Sequence, residues 1–210
     1  MNAPCVASVN QRWCGARASN AGPCPTPPSR SIPSLYSLSN WYKISGRSFF
    51  DGTLDLTLID PSLDSLKQLF GDGGAGNARL IASVVQGVSR EVFECLEEND
   101  ILFIDSSHVT KTGSDVNYLV FEILPILKPG VLVHIHDILY PFEYPEEWVL
   151  KEKRSWNESY LLRAFLQYNS AFEIVYWNNF AWHRMHDDLG RLMPLCLENE
   201  GGSIWLKRGR

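Results

Sequence analysis

Two short apolar runs in this chain end in residues that can move protons and hold charge. ILFID, residues 101–105, closes on Asp105, with Ser106, Ser107 and His108 immediately after it. VLVHIHD, residues 131–137, closes on His136 and Asp137. An imidazole titrates near neutrality and suits a general base, and a neighbouring carboxylate can orient it or balance its charge. His108, His136 and Asp137 are therefore the candidate catalytic residues. His134 shares the strand face of His136 but sits one pleat deeper, where a buried, hydrogen-bonded supporting role is expected. Asp105 and Asp137 also offer oxygen ligands that suit magnesium or another divalent cation, and added imidazoles would shift that preference towards transition metals. Each residue has a plainer alternative: Asp105 can accept turn amides, His108 can bond a loop carbonyl, and Asp115 can serve the first turn of a helix. A second metal reading attaches to His183 and His186, three residues apart, although the nearby aromatics and Arg184 offer ordinary contacts.

The elements that must position these residues are legible around them. A helical pattern with Val116, Leu119, Val120, Ile123, Leu124 and Leu127 on one side joins the two runs, and Lys128-Pro129-Gly130 makes the turn into the second. Strand, crossover helix and strand form a βαβ unit, and an open α/β sheet places its chemistry at the carboxyl ends of its strands. Upstream, LDLTLID is a further strand ending at Asp60, ARLIASVVQG carries another around Ser83 to Gln86, and REVFECLEE is an amphipathic helix. Downstream, SYLLRAFLQY reads as a helix, and FEIVYW and SIWLKR read as two last strands forming an antiparallel edge.

Composition bounds the rest. With 210 residues and 45% hydrophobic content the chain can build one full core. A formal charge of −5 with scattered basic residues argues against a broad nucleic-acid footprint. No apolar run reaches the roughly 18 residues of a membrane span. Residues 1–34 are rich in Ala, Ser, Asn and Pro and are expected to form a flexible extension, leaving 35–210 as the domain. The five cysteines fit no common zinc or redox spacing, so reduced thiols in a cytoplasmic protein are expected.

Taken together, LEENDILFIDSSH (residues 96–108), EILPILKPGVLVHIHDI (122–138) and YPFEYPEEW (140–148) resemble class I S-adenosylmethionine-dependent methyltransferases of the branch reading FIDxxH, helix, LKPGxxxxxHD. The likeness implies a doubly wound, mostly parallel Rossmann-like sheet with an antiparallel edge strand. It implies S-adenosylmethionine as cofactor, with Asp60 on the ribose hydroxyls and Asp105 at the sulfonium centre or the acceptor. The leading expectation is methyl transfer to an oxygen or nitrogen nucleophile of a small or sugar-like acceptor; Tyr140, Phe142, Tyr144 and Trp148, which follow the HD rim directly, are placed either to line its pocket or to pack the turn. The chain departs from the pattern at its start, because no strand before LTLID leads into a GxGxG turn. The GDGGAG stretch, residues 71–76, comes only after the second strand. Truncation at the first βα unit is accordingly an expectation. So are two rival functions: a non-catalytic remnant serving as scaffold, and a metal-dependent hydroxylase or hydrolase.

Overall fold

The computed structural model describes residues 5–10, 55–62 and 79–209. They form one seven-stranded sheet in the order β3-β2-β1-β4-β5-β7-β6. The strands are β1 (Cys5–Asn10), β2 (Asp55–Ile59), β3 (Arg79–Ile81), β4 (Ile101–Asp105), β5 (Leu132–His136), β6 (Phe172–Trp177) and β7 (Ser203–Arg208). All pairings from β3 to β5 are parallel, whereas β7 runs antiparallel to both β5 and β6. The expected reversed strand is present, but it lies one position in from the edge. β6, parallel in sense to the main sheet, is the edge itself.

The largest correction concerns the start of the chain. Cys5–Asn10, expected within the flexible extension 1–34, forms an interior strand and pairs in parallel with both β2 and β4. The expectation of a missing first strand fails for that reason. Both flanks of β1 take up its backbone groups, so a short strand of mixed polarity is held by its position in the ladder rather than by its own β propensity. Residues 11–54 and 63–78, which include the GDGGAG stretch, lie outside the described residues.

β2 and β4 are buried along nearly their whole length, which explains why their sequences are continuous apolar runs. The crossover begins at α2 (Asp115–Tyr118), where the Ser114 hydroxyl caps the helix by accepting the Asn117 N–H at 3.2 Å. It continues as a π turn over Leu119–Ile123 and a tighter 3-10 turn over Leu124–Ile126. Its Leu119, Ile123 and Leu124 are fully enclosed against Leu102, Ile104 and Val133 of the sheet. Burial of each such side chain contributes roughly 1.5–3 kcal/mol. Gly130 has φ +90°, and a Cβ there would stand 2.5 Å from the Glu98 side chain, so the turn after Pro129 requires glycine.

The remaining elements differ in detail from expectation. β3 occupies Arg79–Ile81 rather than Ser83–Gln86, which instead leads into a short 3-10 turn at Val85–Gly87. REVFECLEE keeps only one helical turn, α1 (Glu91–Glu94), with Phe93 and Leu96 enclosed. SYLLRAFLQY is α3 (Glu158–Gln167), as the periodicity predicts. The polar connection between β6 and β7 holds α4 (Asn178–Arg184) and α5 (His186–Leu192).

Candidate active site

Parallel register sets the site level. Asn10 pairs with Asp105, Val9 with Ile59 and Ile104, and Ile104 with Ile135. Asp60, Asp105 and His136 are therefore level with one another at the carboxyl edge. From Phe103 inwards, the same face of the sheet becomes aromatic: Phe103 and His134 stack at 4.1 Å, and Trp205 meets His134 edge-on at 4.7 Å.

Just past β4 and β5 the backbone turns sharply, and His108 (φ +58°) and Asp137 (φ +56°) both adopt left-handed conformations. Such conformations are costly for non-glycine residues and persist where the surroundings hold them. At His108 the clamp is visible. Its N–H donates to Ser106 Oγ at 2.9 Å, and its carbonyl accepts the N–H groups of Asn157 (2.9 Å) and Glu158 (3.2 Å). Asn157 also reaches across to Thr110, accepting its N–H at 2.5 Å.

The His108 ring is buried and surrounded by three carboxylates. Nδ1 lies 2.9 Å from Glu158 Oε2, and Nε2 lies 3.5 Å from Asp105 Oδ1 and 3.7 Å from Asp137 Oδ2. Ser106 Oγ donates to the same Glu158 oxygen at 2.8 Å. The Trp156 ring covers His108 at a centroid distance of 4.1 Å. Burial on its own would expel the proton from this imidazole. Hydrogen bonding with Asp105 and Glu158, and the charges of Glu158 and Asp137, outweigh it and raise the pKa from 6.5 to about 10. His108 is thus an imidazolium at neutral pH, with no lone pair to receive a proton.

His136 differs. Its side chain is 23% exposed, and its Nε2 lies 3.6 Å from Asp137 Oδ1. Asp137 therefore stands between two imidazoles, one buried and one at the rim. Asp105 is 3% exposed, and its Oδ2 accepts no hydrogen bond among the described residues.

The structure brings together Asp105, His108, His136 and Asp137, and leaves Asp60 apart. With β1 between β2 and β4, Asp60 lies about 10 Å across the rim from Asp105. There its backbone N–H donates to the Ile81 carbonyl, and its Oδ1 accepts the Ser62 N–H at 2.6 Å. His134 departs from its expected role: it is 7% exposed, and neither ring nitrogen has a hydrogen-bond partner among the described residues. Stacking supports it, and burial together with the charge of His136 pushes its pKa down to about 3. Asp115 binds both the N–H and the hydroxyl of Ser107, which gives it a turn-fixing role.

The expected metal pair also changes meaning. Among the described residues no three His, Cys, Asp or Glu side chains are placed to hold a metal ion. Asp105 and Asp137 each place one oxygen near His108 Nε2, at 3.5 and 3.7 Å. His183 and His186 do not share a helix, because the chain breaks at Met185 between α4 and α5. His183 faces Glu200 at 3.7 Å, and His186 packs edge-on against Trp182.

Comparison with known proteins bears on the fold that carries this site. Residues 51–138, from just before β2 to just beyond β5, match the methyltransferase domain family. The plantazolicin methyltransferase BpumL, crystallised with a pentazolic desmethylPZN analog and SAH, superposes with a TM-score of 0.54 at 12% identity. The match covers 99% of this chain and 77% of that one. Residues 51–138 thus resemble a methyltransferase domain, and the fold is one shared with S-adenosylmethionine-dependent methyltransferases. The complex of BpumL with SAH alone gives a TM-score of 0.51 at 13% identity, covering 99% of this chain and 76% of that one. The match to the 16S rRNA (adenine(1408)-N(1))-methyltransferase from Catenulisporales acidiphilia covers 99% of this chain and 88% of that one, at 9% identity and a TM-score of 0.43. No curated protein sequence matches at a significant level. No helix among the described residues is long and apolar enough to cross a membrane.

Several residues of this site escape sequence reasoning. Glu158 is one: an acid in the first turn of α3 reads locally as a complement to the helix dipole, and nothing marks its bond to His108 fifty residues earlier. Trp156 reads as loop packing, and Ser106 as turn closure. Of the expected acceptor-pocket aromatics, Tyr140 and Phe142 pack against Trp177, with centroids at 5.5 and 4.5 Å. Tyr144 is buried and its hydroxyl accepts the Ser159 N–H, while Trp148 and Trp156 enclose the Arg154 guanidinium.

Proposed function

We propose that this protein is an S-adenosylmethionine-dependent methyltransferase that methylates an O–H or N–H nucleophile of a small or sugar-like acceptor held at the carboxyl rim of β4 and β5. The observation that carries this reading is Asp105 Oδ2, a buried carboxylate oxygen at the rim that accepts no hydrogen bond among the described residues. An unmet charged acceptor in such a place is costly, and a protic group on the substrate would satisfy it. S-adenosylmethionine supplies an electrophilic methyl group. Asp60, with its carboxylate at the end of β2, is the residue suited to the vicinal diol of the ribose, since each carboxylate oxygen can accept a hydrogen bond.

The chain's own part is to position and to deprotonate. Asp105 Oδ2 accepts a hydrogen bond from the acceptor and fixes its orientation, which is a large share of the advantage in a displacement reaction. His136 takes the acceptor's proton at Nε2, and Asp137 Oδ1 beside it steadies the imidazolium that forms. His108, already protonated, is not the base. The scaffold reading rested chiefly on the missing glycine turn; β1 supplies the first strand, and the residues that follow it lie outside the described ones. The hydroxylase or hydrolase reading needs a metal cradle that the described residues do not form.

The test is calorimetric titration with S-adenosylmethionine and its demethylated product, followed by methyl-transfer assays on hydroxyl and amine acceptors. Binding of both, together with loss of turnover in His136→Gln at unchanged cofactor affinity, is expected. Absence of cofactor binding at saturating concentration would refute the proposal.

A further inference from the structure

We propose that Arg154 is a positioning residue of the acceptor site: held in the corner between Trp148 and Trp156, it keeps the Trp156 indole as a roof over His108. That the roofed site receives an acceptor rests on the methyl-transfer reading; the part of Arg154 in holding the roof does not.

The segment that joins β5 to α3 has few points of attachment. From Glu146 to Trp156 every residue is exposed except Trp148, Arg154 and Trp156. Its π turn, Glu147–Lys151, buries no residue, and Val149 and Leu150 are 44% and 55% exposed. A stretch with so few buried apolar contacts opens locally at low cost unless something else holds it. Here the three partly buried side chains do so.

The Arg154 guanidinium carbon lies 4.1 Å from the Trp148 ring centre and 4.4 Å from that of Trp156, and the two indoles meet edge to face at 5.4 Å. Glu152 Oε2 lies 2.7 Å from Nε and 2.6 Å from Nη2, which fixes the plane of the guanidinium. The Arg154 N–H donates to the Trp148 carbonyl at 2.9 Å, so backbone and side chain tie the same two positions together. A planar cation with donors along its edge suits this corner, whereas a lysine ammonium has neither the plane nor the fork.

Trp156 carries this anchorage to the site. Its ring lies 4.1 Å, centre to centre, from the buried His108 imidazole, and Tyr144 meets it edge-on at 6.0 Å. Tyr144 is itself fixed, since its hydroxyl accepts the Ser159 N–H at 3.0 Å. The indole thus has one support tied to α3 and another, the Arg154 corner, that belongs to the exposed segment. With His108 roofed, an acceptor reaches Asp105 past the His136–Asp137 pair, whose side chains are 23% and 21% exposed. Arg154 touches none of the reacting atoms and acts through Trp156.

The experiment reads the His108 ring. ¹H–¹³C spectra of the histidine rings at one fixed pH compare the wild type with Arg154→Met, Arg154→Lys and Trp156→Leu, and amide hydrogen exchange is followed on the same proteins. An indole against His108 displaces the ring-proton signals of that residue, and Trp156→Leu gives their position without it. Arg154→Met, apolar and of similar length, is expected to move them most of the way to that position. Exchange of the Glu152 amide, which donates to the Glu147 carbonyl across the turn, is expected to quicken roughly tenfold on loss of the two cation–π faces, with exchange in β4 and α3 unchanged. Arg154→Lys keeps the charge without the fork and is expected to lie between. His108 signals that stay at the wild-type position in Arg154→Met overturn the proposal. So does exchange that quickens equally in β4 and α3, because Arg154 then serves stability alone. If Arg154→Met does not fold, Trp148→Leu, which removes one wall of the corner, decides by the same comparison. Titration with the demethylated cofactor keeps the two claims apart. Failure of the wild type to bind it brings down the methyl-transfer reading, while the histidine spectra still decide the roof.

Discussion

Raising the pH should weaken this fold through a single residue, His108. Its pKa is 6.5 when unfolded and about 10 in the folded chain. Because the folded value is the higher one, its stabilising contribution is complete below pH 6.5 and disappears as pH rises through 10. The difference corresponds to about 5 kcal/mol in all. Between about pH 7 and pH 9 the unfolded chain has lost this proton and the folded chain keeps it, so stability falls by about 3 kcal/mol. Urea unfolding followed by tryptophan fluorescence at several pH values measures the slope. Glu158→Gln removes the carboxylate nearest the ring and should flatten it, and His108→Asn should abolish this contribution altogether. Other groups titrate in the same range, so the wild-type slope minus the variant slope is the quantity to read. Equal slopes in wild type and both variants would refute the protonated, carboxylate-bound state of His108.

Three further outcomes follow from other parts of the structure. His134, neutral when folded, binds fewer protons than in the unfolded chain at low pH. It therefore costs stability as pH falls from 6.5 towards about 3, and His134→Phe should reduce acid sensitivity in urea titrations below neutrality. Gly130→Ala meets both a left-handed backbone and the Glu98 side chain, so a loss of about 1–2 kcal/mol or more is expected in thermal unfolding. Asp60→Ala should weaken binding of the demethylated cofactor by roughly tenfold, the worth of about 1.4 kcal/mol, and leave the pH slope of stability unchanged; calorimetry and urea titration check the two halves.

What the sequence revealed depended on how local each signal was. The pair of strands ILFID and VLVHIHD, the crossover, α3 and β7 all announce themselves by apolar runs or periodicity, because burial on one or both faces dictates the side chains; β6 shows the same apolar and aromatic run although its four inner residues are exposed. β1 does not. Cys-Val-Ala-Ser-Val-Asn has small and polar residues within an Ala-, Ser- and Pro-rich stretch, and its strand character comes from the two neighbours that complete its ladder. The site divides the same way. Asp105, His108, His136 and Asp137 are visible because they end strands. The charge on His108 is not, since it depends on Glu158, which is remote in sequence and ordinary in its local setting.

The position of β1 also bears on how the chain reaches this fold. Val6 pairs with Ile101 and Cys5 with Asp55, so the middle of the sheet joins partners separated by up to nearly half the chain. Such non-local pairing delays folding, because the intervening loop must close before any contact rewards it. Until β1 settles, β2 with β3 and β4 with β5, β7 and β6 form two sheet fragments, each showing an unpaired strand edge. Those edges are where a slow-folding chain meets its own copies, so β1, by pairing with both, protects the rest from aggregation.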